Sequence, residues 1–193
     1  MRPCKQEEKD GKTKRIIGII LSDSSKMEEF EMVHEIRLCF YHSDHDATLR
    51  SFYLPKEQQR FTALPAEALK ACSEEKERKP IVILHQERPV GFFVLHTGKQ
   101  IRPFTDNPRA VLLRSFSINY PEQGKGFAKQ ALALLPAFVN THFSDINEIV
   151  LAVNERNFAA QRLYLTAGFI DSGRRREGKK GRQLLLYYPL SAT

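Results

Sequence analysis

The amino-acid sequence predicts an α/β domain in which a central sheet is flanked by interleaved helices. Short apolar runs with strand-like alternation recur along the chain, and longer segments with apolar residues at helical spacing lie between them. At 193 residues the chain is long enough for one domain with a sizeable core and short for two. Its hydrophobic share of 41% and charged share of 27% are ordinary for a globular protein.

The sequence of the first half of the domain predicts three strands and one helix. Ile36 to Tyr41 alternates apolar and polar side chains, as a half-buried strand does. Pro65 to Glu75 has the spacing of an amphipathic helix, and Pro65 suits its first turn. An antiparallel hairpin and a loop complete this half, with strands at 81–84 and 90–96, a turn at 87–89 and the loop over 98–109.

The second half has a more regular pattern. A strand over Val111 to Ile118 leads into a glycine-containing turn, and a helix begins at Phe127. Pro136 is expected to kink this helix or to end its regular part, because proline lacks a backbone donor and crowds the preceding turn. The remaining predictions are a strand at 149–153, a helix at 158–167 capped by Gly168, and terminal strands at 169–172 and 183–188.

Charge and cysteine content exclude several classes of protein. The net charge of +7 and the pI near 9.4 permit acidic partners but are too modest to require nucleic acid. The three cysteines are widely spaced and form no CxxC pair, so neither a disulfide framework nor a cysteine zinc site is predicted. The early apolar run from Ile16 to Leu21 is too short for a signal peptide or a membrane span. We therefore expect a cytoplasmic protein with no membrane partner.

The first 31 residues differ from the rest of the chain. They mix Lys, Glu and Asp around one short apolar run, whereas a strand-like stretch begins directly after Met32. We therefore predict an N-terminal extension over 1–31 and one domain over 32–193. Two explanations of the extension stay open, namely translation from an upstream start codon and a flexible arm of the protein.

The segment Gln123-Gly124-Lys125-Gly126-Phe127-Ala128 joins a strand to a helix. The first amides of a helix have no intrahelical acceptors, and the helix dipole adds positive charge there. The two glycines let the phosphates of a ligand approach the main chain closely. The segment is not a Walker A loop, since Gly126 rather than Ser or Thr follows the lysine, and Lys129 replaces the third glycine of a dinucleotide fingerprint. A tight turn that binds no ligand is the alternative.

A second motif lies downstream, where Asn157 to Phe169 predicts a helix that ends in Gly-Phe before a strand. Together the two segments resemble the GNAT superfamily of acetyltransferases. The first matches Q/R-x-x-G-x-G/A as Gln123, Gly126 and Ala128. The second matches N-x-x-A-x-x-L-Y-x-x-x-G-F at Asn157, Ala160, Leu163, Tyr164, Gly168 and Phe169. The resemblance covers roughly residues 80–190 and implies a mostly antiparallel central sheet that is splayed at a cofactor cleft.

The resemblance also implies a reaction, in which an amine attacks acetyl-CoA directly and no metal takes part. In this family the strand before the turn binds the pantetheine arm through main-chain groups, which here belong to Phe116, Ser117 and Ile118; the amide of Ile118 would also stabilise the oxyanion. Asn157 would hydrogen-bond the cofactor arm, and Tyr164 would protonate the departing thiolate. The pyrophosphate would lie on the amides of Gln123, Gly124, Lys125, Gly126, Phe127 and Ala128.

Plainer interpretations of these side chains stay open beside the family's. From periodicity alone Tyr164 is a core aromatic residue of an amphipathic helix, and Asn157 is a helix N-cap. No general base is assigned, and three upstream carboxylates are candidates by position only: Asp106, Glu67 and Glu57. The two histidines that flank the hairpin, His85 and His96, are interpreted as structural or exposed.

A basic run, Arg174-Arg175-Arg176 with Lys179, Lys180 and Arg182, is predicted as a solvated hairpin loop over 174–182. In the resembling fold this loop borders the acceptor site, where it would recruit an acidic acceptor. Two competing hypotheses are a domain that senses acyl-CoA without catalysis and a binder of nucleic acid or anionic surfaces through this loop, although the loop lacks interleaved aromatic residues. The expected acceptor is a small-molecule amine or a protein amino group. Residues 44–79 would form much of its pocket, and a homodimer stays open.

Overall fold

The computed structural model describes residues 17–18, 30–31 and 36–191. The chain divides into two compact units, Met1–Glu35 and Ile36–Thr193. In the first unit, Ile17–Gly18 pairs antiparallel with Phe30–Glu31. The predicted domain boundary at Met32 lies outside the described residues.

The second unit is built on a seven-stranded sheet. Its strands are β1 (Ile36–Phe40), β2 (Arg78–His85), β3 (Arg88–His96), β4 (Ala110–Ile118), β5 (Glu148–Asn154), β6 (Ile170–Gly178) and β7 (Gly181–Pro189). The strand order is β1-β2-β3-β4-β5-β7-β6, and every neighbouring pair is antiparallel except β4 and β5, which are parallel. The predicted fold class, a mostly antiparallel sheet with flanking helices, is confirmed.

Five α-helices are interleaved with these strands: α1 (Asp46–Arg50), α2 (Lys56–Gln59), α3 (Pro65–Glu74), α4 (Phe127–His142) and α5 (Phe158–Thr166). Pro65 is at the start of α3, as the sequence predicts. The longest helix, α4, has 16 residues. Within the described ranges no helix is long and apolar enough to cross a bilayer. The cytoplasmic location stays a prediction.

Apolar side chains cover both faces of the central strands. Val111 and Leu113 of β4 belong to a large cluster that also contains the buried residues of α4 and Tyr164 of α5. Leu112 lies between them in sequence and belongs to a smaller cluster on the other face, with Val150 of β5. Because successive residues of a strand point to opposite faces, β4 is buried on both sides and reads as a continuous apolar run.

Helix α4 lies on the sheet through the buried residues Phe127, Ala131, Leu132, Leu135 and Val139. Their spacing is helical, which is why the sequence predicts this element. The helix continues past Pro136 to His142, so of the two predicted effects of the proline the structure excludes the end of the helix, and a kink stays a prediction. A proline in a helix interior costs about 3 kcal/mol or more, because it removes a hydrogen bond and crowds the preceding turn. Burial of Leu135 and Val139 on either side of the proline offsets that cost.

Helix α5 has the caps that its sequence predicts. At its start the Asn157 side chain accepts a hydrogen bond of 3.2 Å from the amide of Ala160. At its end Gly168 adopts φ +95° and donates to Leu165 O, while Phe169 donates to Tyr164 O. This pair of bonds is a Schellman motif, which turns the chain directly into β6.

Two turns differ from their predicted positions. The β2–β3 turn is formed by Gln86 and Glu87, both at positive φ, so β3 begins before Pro89 rather than after it. The basic segment 174–182 is not an open loop. Arg174, Arg175 and Arg176 lie within β6, and only Lys179 and Lys180 connect it to β7. The positive charges therefore lie along a strand, where the pleat assigns each one to a face.

Strand β4 contains a bulge that opens the sheet. Phe92 of β3 pairs with Ser117, but Val94 pairs with Arg114, so two residues of β4 lie opposite Phe93. One of the two, Ser115, has φ +52°, which is uncommon for a residue with a side chain. Pairing of β4 with β5 ends just before the bulge, at Leu113 and Leu151. A gap therefore opens between the carboxyl ends of the two parallel strands.

The bulge gives a test of this fold. We expect Ser115→Val to lower the free energy of unfolding by about 1–2 kcal/mol relative to Ser115→Gly, because a β-branched residue is strained at positive φ and glycine is not. Urea unfolding of both variants measures the difference. Equal stability of the two variants would show that this position does not hold the left-handed backbone.

Candidate functional site

The gap between β4 and β5 is the mouth of a cleft with a volume of about 750 Å³. Residues of β4, β5, α2, α4 and α5 line it together with the turn before α4. Nine of the ten residues named above for acetyl-CoA binding line the cleft, and Lys125 is the exception. Tyr164 lines the cleft as well. The two motifs, which residues 129–156 separate in sequence, thus meet at one site.

The turn before α4 presents free backbone amides. Gly126 is the N-cap of α4 and has no side chain to cap the helix. The first intrahelical bond runs from the Gln130 amide to Gly126 O at 3.1 Å. Consequently the amides from Gly124 to Lys129 donate to no acceptor in the described part of the chain. Six consecutive donors at a helix N-terminus form a site for an anion.

The same turn leaves space on its ligand side. Gly124 and Gly126 have φ of +79° and +82°, a backbone conformation that residues with side chains rarely adopt. A Cβ at Gly124 would meet nothing within 4 Å, and one at Gly126 would meet only Gln130 Nε2 at 3.8 Å. The site is therefore open to phosphate groups at the main chain itself.

Gln123 fixes the turn rather than offering a free amide. Its own amide donates to Tyr120 O at 3.1 Å. Its side chain donates to Ile118 O at 2.9 Å and exchanges two hydrogen bonds, of 2.9 and 3.0 Å, with Gln58 of α2. These bonds join the end of β4, the turn and α2 into one hydrogen-bonded unit.

Lys125 is engaged by a neighbouring carboxylate. Its ammonium pairs with the Glu122 carboxylate at 2.7 Å, and this hydrogen bond lowers the pKa of Glu122. The lysine is half-exposed, so the pair contributes little to stability. Lys125 is therefore not a free cation at this turn.

The β4 wall of the cleft contains Phe116, Ser117 and Ile118. The Phe116 ring packs between the rings of Phe93 and Tyr164, with centroids 5.9 and 6.2 Å away. The Ser117 hydroxyl is buried and makes no hydrogen bond within the described residues. Beyond Leu113 these residues have no strand on the β5 side, which leaves that edge of β4 facing the cleft.

Tyr164 is both a core residue and a cleft residue. Only 9% of it is exposed, and its ring packs against Phe116 and Phe169. Its hydroxyl has no hydrogen-bond partner in the part of the chain that the structure describes, although the side chain lines the cleft. Burial raises the pKa of Tyr164 well above its ordinary value. The phenol is therefore protonated at neutral pH and free to donate.

Asn157 keeps half of its amide available. Its carbonyl oxygen caps α5, whereas its Nδ2 donates to no described residue. The side chain also lines the cleft. The capping interpretation is thus correct and leaves the NH₂ group for a ligand.

Of the three upstream carboxylates, only Glu57 lines the cleft. Asp106 pairs with Arg174 at 3.2 Å outside it, and Glu67 lies in α3. His85 packs on the Phe127 ring with centroids 4.8 Å apart, and His96 is buried, so both histidines have structural surroundings. In the described ranges no group of three or more His, Cys, Asp or Glu residues is placed to hold a metal ion.

Several cleft residues carry no sequence signal of their role. Gln58 binds Gln123, Thr62 reaches Phe116 O at 3.4 Å, and Asn154 donates to Lys180 O at 2.9 Å. Arg114 lines the cleft from within an apolar strand. A charged residue in a buried β4 was the one available hint, since arginine is rarely buried without a partner.

The sheet, its gap and the turn are those of the acetyltransferase class that the two motifs resemble. Residues 30–169 match the Acetyltransferase (GNAT) family. The chain is 46% identical over 158 residues to an uncharacterized N-acetyltransferase, YbbJ, of Bacillus subtilis strain 168, which covers 81% of this chain and 99% of the relative. The chain therefore belongs to the GNAT family of N-acetyltransferases, and the resemblance is confirmed.

Solved structures support the fold at low sequence identity. The aminoglycoside acetyltransferase AAC(6')-Ib, solved with coenzyme A, gives a TM-score of 0.65 at 14% identity, over 80% of this chain and 94% of that one. The spermidine N-acetyltransferase of Vibrio cholerae, solved with CoA and spermine, gives 0.62 at 16% identity, over 81% and 96%. At these identities the likeness establishes the architecture alone.

Proposed function

We propose that this protein transfers an acetyl group from acetyl-CoA to a primary amine by direct attack. The observation that carries the proposal is the row of free amides from Gly124 to Lys129, which opens into a cleft that Tyr164 also lines. The free amides suit the CoA pyrophosphate, and the unpaired edge of β4 suits the amide groups of its pantetheine arm. The relatives solved with coenzyme A have the same fold.

In this proposal the amine nitrogen attacks the thioester carbonyl carbon, and the carbon–sulfur bond breaks. Main-chain groups of Phe116, Ser117 and Ile118 bind the pantetheine arm, and the Ile118 amide stabilises the oxyanion. The Asn157 NH₂ group donates to the same arm. Gln123 holds the turn in shape, while the neighbouring amides up to Lys129 bind the pyrophosphate. Holding both reactants in one cleft supplies much of the rate advantage.

Tyr164 then gives its proton to the departing sulfur. Burial keeps the phenol protonated, and the absence of a described hydrogen-bond partner leaves its proton unshared. A general acid needs this placement beside the leaving group more than an unusual acidity. The proton that the amine loses returns the phenol to its starting state through solvent.

Glu57 takes the amine proton, directly or through water. It is the one upstream carboxylate among the three candidates that lines the cleft, and it lies in α2, opposite the turn. No described cation pairs with it, so its carboxylate is available as an acceptor. Neither a covalent intermediate nor a cysteine is required.

The acceptor is a small-molecule amine or a protein amino group. A thiol-release assay with acetyl-CoA across a broad amine panel tests the transfer, with calorimetric binding of acetyl-CoA as its companion. Binding without thiol release on any amine would favour the acyl-CoA sensor. Salt-sensitive nucleic-acid binding with no acetyl-CoA binding would favour the anionic-surface binder.

The glycine turn gives the first prediction for this function. We expect Gly124→Ala to weaken acetyl-CoA binding about tenfold or more, because its Cβ projects into the space at the phosphate-binding amides and strains the turn. Gly173→Ala is a matched control, since Gly173 has φ +74° and also faces open space, but it lies in β6 outside the cleft. Calorimetry should show normal binding for the control. Equal affinity of the two variants would contradict the assigned site.

The second prediction concerns Tyr164→Phe, which removes the hydroxyl and keeps the packed ring. We expect kcat to fall about tenfold to a hundredfold, because a positioned general acid contributes at least this much, while the Kd for acetyl-CoA changes little. Tyr188→Phe is the control, since Tyr188 packs on Phe169 but does not line the cleft. An unchanged kcat in the Tyr164 variant would remove its role as the acid.

The third prediction separates the carboxylates. Glu57→Gln should lower kcat/KM for the amine about tenfold or more, since it removes the proton acceptor and keeps the size of the side chain. Glu67→Gln, which changes the same charge outside the cleft, should leave kcat/KM unchanged. If both variants have wild-type activity, water alone serves as the base.

A further inference from the structure

Arg114 lies on the face of the sheet opposite the one that binds α4 and α5. It is paired with Val94 across the β3–β4 ladder, and Leu112 is paired with His96, so these four side chains share one face. Position 114 is also the first residue of β4 beyond the last pair with β5. Arg114 therefore lines the cleft at the point where the sheet opens.

The Arg114 guanidinium has no ion pair of its own in the described part of the chain, although the Glu75 carboxylate is close to it and lies 3.4 Å from His96 Nε2. Arg114 is half-buried, and no carboxylate among residues 36–191 forms an ion pair with it. The nearest acid, Glu75, is engaged by Arg78 through two hydrogen bonds of 2.8 and 3.0 Å. A partly buried cation without a partner costs folding free energy, and such groups are usually paired.

His96 fixes the orientation of this guanidinium. Its Nδ1 lies 3.1 Å from Arg114 Nη1, and since arginine only donates, Nδ1 must be the acceptor. The imidazole is 1% exposed, and burial lowers the pKa of His96, as do the nearby charges of Arg114 and Arg78. The ring is therefore neutral at neutral pH. One edge of the guanidinium is held by His96, and its other N–H groups stay available.

The surroundings of Arg114 on this face are positive. Arg176 lies on the same face, because it pairs with Gln183 and Gln183 pairs with Asn154 of β5. Its guanidinium lies over the Phe104 ring at 4.2 Å. Burial lowers the pKa of Arg114, and the charges of Arg78 and Arg176 lower it further, whereas that of Glu75 raises it. Lys180 donates to Gln59 O of α2 at 2.9 Å. Neither Arg176 nor Lys180 forms an ion pair with a described carboxylate.

We propose that Arg114 binds a carboxylate of the acceptor, so that the preferred acceptors are amines that also carry a carboxylate, such as amino acids. The planar guanidinium matches the two oxygens of a carboxylate, which a lysine ammonium does not. This inference rests on the proposed acetyl transfer, since it names the acceptor of that reaction. His96 is the positioning residue that presents the guanidinium.

Matched acceptor pairs test the inference. Each pair is an amino acid and its amide, which keeps the amine and the size and removes the carboxylate charge. The wild-type protein should show kcat/KM at least about tenfold higher for the acid member. Arg114→Gln should abolish that preference by raising KM for the acid alone, and Arg114→Lys should retain part of it. Arg50→Gln, which removes an exposed arginine outside the cleft, should match the wild type.

A binding measurement keeps this test independent of catalysis. The same pairs are titrated by calorimetry onto protein saturated with CoA, which cannot acetylate them. Tighter binding of the acids by the wild type and equal binding of both members by Arg114→Gln support the carboxylate site, even if no amine is acetylated and the proposed transfer fails. A wild type that prefers no acid, or a preference that survives in both Arg114 variants, overturns the inference.

Discussion

The parting of β4 from β5 is the constraint on which the site depends. Strand β4 pairs with β3 up to Ile118 but with β5 only up to Leu113. The bulge at Ser115 allows β4 to stay paired with β3 while it separates from β5, because the bulge adds a residue to β4 and bends the strand. Without it, Tyr164, the turn before α4 and Arg114 would not share a cleft.

The cleft passes through the sheet, and each face contributes a different kind of group. On the face of α4 and α5 lie backbone amides and a protonated phenol. On the opposite face lies Arg114, whose guanidinium is 3.1 Å from the buried His96. The basic run of β6 adds less free charge than its sequence suggests, since Arg174 pairs with Asp106 and Arg175 with Asp171. This pairing favours an enzyme cleft over an extended anionic-surface binder.

Local signals in the sequence predict much of this structure. The caps of α5, the glycine turn and the apolar spacing of α4 are each set within a few neighbouring residues, and the structure has all three. The bulge was not predictable, since nothing about Ser115 marks it for positive φ. Nor was the Gln58 contact, which spans 65 residues. Pro136 does not end α4, because burial on the sheet outweighs a local propensity.

The paired amides of Gln58 and Gln123 join α2, which lines the cleft, to the turn before α4. Each amide would be left with unmet hydrogen-bonding groups if the other residue were replaced alone. The segment around α2 therefore cannot diverge freely while the turn stays constant. Among relatives that evolve new acceptors, we expect residues 58 and 123 to change together or not at all, so that coevolution at this pair would record how acceptor specificity has shifted.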